Sequence, residues 1–243
     1  MAVYSRKLGY IFFPNPQTAS KAVAKTLREK LQGKQLPQEE VVRDGVTLAR
    51  RHHTTYEQIL AAGLLGKKEL DRIVKLTSVR NPYDLMVSRY AKRRGRFVNE
   101  PEKYPWAHAN DKIKTSMDAA VEMSFPQWVQ RELGERAAAG REVKGQMAFL
   151  DHADIVLRYE SLQAGFDEFL ARIGVTEPVQ IEAFNVTAER AGGGEKKHYS
   201  SFYDDASREL VAAFYAPVLT RFSYQFETAP AAAPAAAEPP AVG

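Results

Sequence analysis

Two short segments each place hydroxyl groups and a cation directly after an apolar run. The first is Tyr10-Ile11-Phe12-Phe13-Pro14-Asn15-Pro16-Gln17-Thr18-Ala19-Ser20-Lys21. The second is Ile73-Val74-Lys75-Leu76-Thr77-Ser78-Val79-Arg80-Asn81-Pro82-Tyr83-Asp84, with Ser88 beyond it. Both read as a buried strand, a turn and the first turn of a helix. Open α/β sheets bind ligands beyond the carboxyl ends of their strands. The free backbone N–H groups and the dipole at a helix start favour an anion. In the first segment Thr18 and Ser20 add hydroxyl donors, Lys21 adds a full charge, and Gln17 adds an amide donor without charge. In the second, Arg80 offers a charge-assisted fork, and Ser88, about two helical turns further on, offers a hydroxyl. Two such ends suit a ligand with two separated phosphate groups. Each segment also has a plain structural reading, because Ser and Thr cap helices and an arginine at a strand end forms salt bridges. Neither matches the Gly-rich Walker pattern, which argues against an ATPase, a GTPase or a kinase.

A second kind of chemistry is offered by His52-His53-Thr54-Thr55-Tyr56-Glu57. Neutral imidazole takes up a proton near neutral pH, so His53 or His52 suits a general base or a substrate-positioning group. Glu57 is a second candidate base, or the start of a helix. Both histidines also fit a polar loop or a helix cap. Adjacent side chains rarely converge on one ion, and His108, His152 and His198 show no metal spacing, so no metal site is expected. Arg93, Arg94, Arg96 and Lys103 suit an acidic acceptor, or are simply a solvated surface. Trp106 and Tyr104 suit stacking on a sugar, or packing within a loop.

The elements that must position these groups alternate between strand and helix. Tyr10–Phe13, Ile73–Val79 and Asp154–Tyr159 read as core strands. Ala22, Val23, Leu27 and Leu31 form one helical face ended by Gly33 and Pro37. Val41–Leu48 fits either strand or helix. Thr54, Thr55 and Glu57 begin a helix through Ile59, Leu60 and Leu64. Pro82 fits the first turn of another helix, where its missing N–H costs little. Phe97–Asn110 reads as a loop, Phe125–Leu133 as a helix, and Phe166–Ile173 as a helix stopped by Gly174. Ala191–Gly194 is a glycine turn, and Ala206–Phe222 reads as one amphipathic helix. This order predicts an α/β fold with a mainly parallel central sheet flanked by helices.

Composition limits the remaining classes. The 243 residues are 44% hydrophobic and 26% charged, in the range of a globular protein. The segment 229–243 is almost wholly Ala and Pro and is expected to be disordered, leaving residues 1–228 as a single domain. There is no cysteine, which excludes disulfides, cysteine nucleophiles and cysteine-ligated metals and fits a reducing compartment. The apolar run near the N-terminus is too short for a membrane span and reads as a core strand rather than a signal segment. A cytoplasmic location is therefore expected. The net charge is +4, but between Arg72 and Lys114 eleven Lys or Arg face four Asp or Glu. That field attracts a polyanionic or nucleotide ligand. No recognised nucleic-acid motif accompanies it, and no nucleic-acid partner is expected.

With these residues in view, the chain resembles the sulfotransferases that use 3′-phosphoadenosine 5′-phosphosulfate (PAPS), most closely their carbohydrate-type branch. Val79-Arg80-Asn81-Pro82-Tyr83-Asp84 with Ser88-Arg89-Tyr90 is similar to the family's 3′-phosphate element. Pro16-Gln17-Thr18-Ala19-Ser20-Lys21 is similar to its 5′-phosphosulfate loop, although divergent. Val156-Leu157-Arg158-Tyr159-Glu160-Ser161-Leu162 resembles a later strand and turn, and Phe222-Ser223-Tyr224-Gln225-Phe226 resembles the closing segment. The likeness runs from about residue 8 to residue 227.

The resemblance implies a P-loop-like sulfotransferase architecture that moves a sulfuryl group from PAPS to a hydroxyl of a carbohydrate or glycosylated small molecule. It implies that Arg80 and Ser88 hold the 3′ phosphate. Gln17, Thr18, Ala19, Ser20 and Lys21 would form the 5′ loop, and Lys196, Lys197 or His198 would close over the nucleotide. His53 matches the family's His-x-Thr stretch as base or positioning group. His52, Glu57, Arg93, Arg94 and Trp106 fall on the acceptor side. The family usually has a lysine where this chain has Gln17, so either Lys21 or another cation substitutes, or the chain is a weakly active or inactive nucleotide- or glycan-binding relative.

Overall fold

A computed structural model describes residues 2–139, 143–182 and 197–228. Its strands are β1 (Ala2–Ser5), β2 (Tyr10–Phe13), β3 (Lys34–Leu36), β4 (Val41–Arg43), β5 (Val46–Ala49), β6 (Val74–Val79) and β7 (Ile155–Arg158). Its helices are α1 (Ser20–Lys30), α2 (Tyr56–Ala61), α3 (Lys67–Leu70), α4 (Pro82–Arg94), α5 (Arg96–Asn99), α6 (Pro105–His108), α7 (Asp111–Glu122), α8 (Phe125–Ala138), α9 (Lys144–Leu150), α10 (Leu162–Arg172), α11 (Asp205–Phe214) and α12 (Ala216–Phe222).

The central sheet has five strands in the order β3-β1-β2-β6-β7. β2, β6 and β7 run parallel, with Phe13 opposite Thr77 and Leu76 opposite Ile155. β1 is antiparallel to both β2 and β3. The fold is therefore α/β with a mixed sheet, which corrects the expectation of a mainly parallel one. The parallel part is confined to β2, β6 and β7, and the first two of these carry the phosphate-suited segments at their ends.

β2 shows why the sheet sits at the centre. Its four residues are all buried, and side chains alternate across a strand. Tyr10 and Phe12 join Val23 and Leu27 of α1 and Phe166 and Phe169 of α10. Ile11 and Phe13 join Tyr56 and Ile59 of α2, Leu70 of α3 and Phe149 of α9. Helices thus cover both faces. Each fully buried aromatic or branched side chain contributes about 1.5–3 kcal/mol.

A third cluster lies past the end of β6, where Val79 meets α4, α7, α8, α11 and α12 around the fully buried Trp128. Trp128 donates its Nε1–H to the Ser116 carbonyl at 3.2 Å. This bundle braces α4, which carries Ser88 and Arg89.

Several local expectations change. Val41–Leu48 becomes the hairpin β4–β5, turned by Asp44 and Gly45 at φ 50° and 74°. Two consecutive positive φ angles give the turn that matches strand twist, and Asp-Gly tolerates them. The Phe97–Asn110 stretch holds the short helices α5 and α6 rather than loop alone. The expected single helix Ala206–Phe222 is split at Tyr215 into α11 and α12, because Pro217 lacks the N–H a continuous helix needs. No helix among the described residues is long and apolar enough to cross a membrane.

Candidate functional site

The turn after β2 is fastened to β6 by its own polar side chains. Asn15 donates from Nδ2 to the Ser78 carbonyl at 3.0 Å. Thr18 donates from Oγ1 to the Asn15 carbonyl at 2.8 Å, and the hydroxyls of Thr18 and Ser78 lie 2.6 Å apart. Since the Thr18 proton is used on Asn15, Ser78 is the donor in that pair. Thr77 completes the seam with a 2.7 Å bond to the Phe13 carbonyl. Gln17 and Ala19 take φ of 66° and 60°, a left-handed backbone that lets the chain reverse into α1. Ala19 gives α1 no side-chain cap, and its carbonyl takes the Ala22 and Val23 N–H groups, which leaves those of Ser20 and Lys21 for an anion.

Thr18 is wholly buried, which sets the cost of losing its hydroxyl. Thr18→Val is expected to lower unfolding stability by about 1–3 kcal/mol, because the Asn15 carbonyl and Ser78 hydroxyl lose their partner. Thr18→Ser should keep most of it. Chemical denaturation checks this, and a larger loss in Thr18→Ser than in Thr18→Val would mean that the methyl group, not the hydroxyl, is what matters.

The turn after β6 is equally built. Asn81 accepts from the Tyr83 N–H at 3.1 Å and caps α4, and its own N–H donates to Glu160 Oε1 at 2.7 Å. Tyr224 donates to the other Glu160 oxygen at 2.8 Å, which makes Glu160 an organiser of this corner. Arg80 is almost fully buried. Its Nε and Nη2 engage Asp84, its Nη1 donates to the Gln17 carbonyl at 3.4 Å, and its guanidinium sits 4.0 Å over the Tyr159 ring. The two turns are thus joined directly through Arg80. Its charge is answered by Asp84, so Arg80 offers directed N–H groups rather than net charge.

Ser88 is fully buried and its Oγ has no partner among the described residues. A buried hydroxyl left unpaired costs free energy, and a ligand oxygen would recover it. Its neighbour Arg89 reaches Gln17 Oε1 at 3.3 Å, so this part of α4 lies against the first turn.

His53 is brought to the same place. Its Nδ1 lies 3.0 Å from the Pro14 carbonyl, the first residue of the turn after β2. A carbonyl only accepts, so Nδ1 carries the proton and Nε2 is the basic nitrogen of the neutral ring. His53 is exposed, yet desolvation lowers its pKa, opposed by the bond to Pro14. The charges of His52 and then Lys21 lower it further. His52 is exposed, and its pKa is lowered by desolvation first and by Arg51 and Lys21 after that. Ser20 is buried at the start of α1, and Lys21 beside it is exposed.

The other acceptor-side candidates are not gathered around His53. Glu57 pairs with His152 at 2.9 Å, and the His152 ring stacks on Tyr56. The capping box of α2 closes between Thr55 and Gln58 rather than with Glu57, because Gln58 holds the third helical position. Arg93 lies over Trp128 at 5.4 Å, where desolvation lowers its pKa; it is not simply a solvated cation. Arg94 is exposed and donates to the Tyr90 hydroxyl at 2.6 Å. Trp106 is half exposed beside the small Phe97–Ala107–Met117 cluster.

Lys196, the Ala191–Gly194 turn and the segment 229–243 lie outside the described residues. Lys197 is exposed. His198 caps the turn Tyr199–Phe202 by accepting from the Ser200 N–H at 3.3 Å, and Tyr199 carries it toward Tyr83 at the start of α4. Among the described residues no group of three or more acidic or histidine side chains could hold a metal ion.

Asn15, Arg89, Tyr159 and Tyr215 belong to this site and were not singled out from the sequence. Asn15, Arg89 and Tyr159 lie inside the quoted motifs, and for Asn15 and Tyr159 a polar residue at a strand end was the available signal. Nothing local points from Arg89 to Gln17, 72 positions away. Comparison with family models, with characterised proteins and with solved structures finds no match. The functional reading therefore rests on the residues and their geometry alone.

Proposed function

We propose that this chain is a PAPS-dependent sulfotransferase, acting on a hydroxyl of a carbohydrate or glycosylated small molecule. The observation that carries the reading is the junction of the two phosphate-suited turns at the ends of adjacent parallel strands. There the Thr18 and Ser78 hydroxyls meet at 2.6 Å and Arg80 reaches the Gln17 carbonyl. In this reading the 3′ phosphate takes the unpaired Ser88 hydroxyl and the N–H groups Arg80 has left. The 5′ phosphosulfate takes the α1 start, Ser20, the Gln17 amide and Lys21.

Transfer requires the acceptor oxygen in line with the sulfur–oxygen bond to the leaving phosphate. As the new oxygen–sulfur bond forms, the acceptor proton passes to His53 Nε2 and the old bond breaks. The electron pair leaves with the 5′ phosphate, whose growing charge is met by the helix start and Lys21. Arg93, Arg94 and Trp106 are the proposed acceptor-side surface, and Lys197 and His198 the proposed nucleotide cover. A second reading, a nucleotide-binding relative without transfer, is motivated by the neutral Gln17.

Calorimetric titration with adenosine 3′,5′-bisphosphate against adenosine 5′-phosphate tests the site. The bisphosphate is expected to bind roughly 10- to 100-fold more tightly, the worth of charge-assisted bonds to its second phosphate. Equal affinity for the two would sink both readings. Selective binding without sulfuryl release from PAPS would leave only the second.

A further inference from the structure

We infer that Arg89, acting through Gln17, is the positioning residue that turns the first turn into an anion site, with the Gln17 amide as the group that touches the ligand's 5′-phosphate or phosphosulfate end. This rests on the nucleotide reading for the identity of the ligand, but the anion site itself follows from three observations.

Arg89 is half buried and has only neutral partners among the described residues. It donates from Nε to Gln17 Oε1 at 3.3 Å and from Nη1 to the Tyr215 hydroxyl at 2.8 Å. Arg80 is neutralised by Asp84, whereas no carboxylate lies within ion-pair distance of Arg89 among the described residues. A partly desolvated guanidinium without a counter-charge is costly unless an anion comes to it. Arg93, one turn along α4, senses this charge, which adds to the desolvation that lowers its own pKa.

The second observation is direction. An arginine only donates, so Gln17 must turn its oxygen to Arg89 and its Nε2–H₂ away. That amide nitrogen has no partner among the described residues. The third is backbone geometry. Gln17 holds φ 66°, and its carbonyl is taken by Arg80, so the residue is clamped at both ends and its amide is aimed rather than free. A neutral side chain polarised by a fixed cation thus stands where a direct lysine contact would otherwise serve.

The test uses adenosine 3′,5′-bisphosphate, adenosine 3′-phosphate and inorganic phosphate as probes. Arg89→Leu is expected to weaken the bisphosphate about 10- to 100-fold while leaving adenosine 3′-phosphate within about 2-fold. Arg89→Lys should recover part of the loss. The double variant Gln17→Leu/Arg89→Leu should bind no worse than the weaker single variant, because the two residues act as one unit.

Gln17→Glu supplies a folding-safe arm. Its carboxylate pairs with Arg89 and should raise the melting temperature by roughly 2–4 °C while weakening phosphate binding. Additive losses, or a 3′-phosphate probe that suffers equally, overturn the inference. So does a Gln17→Glu chain that is no more stable. Phosphate stabilisation that depends on Gln17 and Arg89, without nucleotide selectivity, would keep the anion site and remove the nucleotide reading. Nucleotide selectivity indifferent to Arg89 would do the reverse.

Discussion

Arg80→Ala is expected to destabilise the protein by about 3–5 kcal/mol, before any effect on a ligand is read. The guanidinium is almost fully buried, and its removal takes from the largely buried Asp84 carboxylate the cation that engages it through two nitrogens. It also releases the Gln17 carbonyl and the stacking contact with Tyr159. For a chain of this size that corresponds to a fall in melting temperature of roughly 6–20 °C. The pair itself need not be strongly stabilising, since desolvation offsets much of its attraction. Arg80→Met with Asp84→Leu should therefore recover most of the lost stability, yet bind adenosine 3′,5′-bisphosphate poorly. Thermal unfolding of the two variants decides the matter. A loss below about 1 kcal/mol for Arg80→Ala would place the pair among screened surface bridges and undo its role as the brace between the turns.

That outcome bears on how an arginine at a strand end is read. Its type and position suit a phosphate, and they suit an internal carboxylate four residues later on the first turn of α4 equally well. The structure shows the second: Asp84 takes two N–H directions and the Gln17 carbonyl a third, which leaves one N–H on each terminal nitrogen for a ligand. Ser88 behind it carries the complementary deficit, a buried hydroxyl with no partner among the described residues. A bound anion would repair that deficit, whereas a purely structural corner gives no reason for it.

What was legible in the sequence follows the strength of each local signal. Tyr10–Phe13 and Ile73–Val79 are apolar runs closed by turn residues, and both are core strands at the expected places. Ala2–Ser5 has the same length as Tyr10–Phe13 and is nearly as buried, but its residues are Ala, Val, Tyr and Ser and it is followed by Arg6 and Lys7, so it showed no apolar run. It is this strand that reverses direction and makes the sheet mixed. Thr18 and Ser20 were readable as turn residues, because hydroxyls beside a strand end suit a helix cap or an anion. Their closure on β6 was not, because the Thr18–Ser78 and Asn15–Ser78 bonds span about sixty residues. Arg89 was hidden for the same reason. On its own helix it is one more cation in a basic stretch, and only the fold sets it against Gln17.

His53→Asn is expected to leave the protein folded while slowing sulfuryl transfer by about 100- to 10,000-fold, the usual worth of a positioned base. His53 holds φ 55°, a left-handed backbone in which asparagine is enriched. An asparagine Nδ2–H can still donate to the Pro14 carbonyl, so the link between this loop and the first turn survives. What it cannot do is take a proton. Affinity for adenosine 3′,5′-bisphosphate should stay within about 2-fold, because the ring is assigned to the acceptor and not to the nucleotide.

The pH dependence follows from the same ring. Desolvation lowers its pKa, so the folded protein keeps it neutral at pH values where the unfolded chain, near the ordinary value of about 6.5, already takes up a proton. Its contribution to stability is complete above about pH 6.5 and is lost as the pH falls through that value toward the folded pKa. The acid limb of kcat/KM should lie below pH 6.5 and vanish in His53→Asn. Release of the bisphosphate from PAPS, followed with a panel of simple glycosides across pH 5–8, measures both. An unchanged limb in the asparagine variant would move the base elsewhere, with His52 the next to test, because it is the other imidazole at this loop whose pKa desolvation lowers.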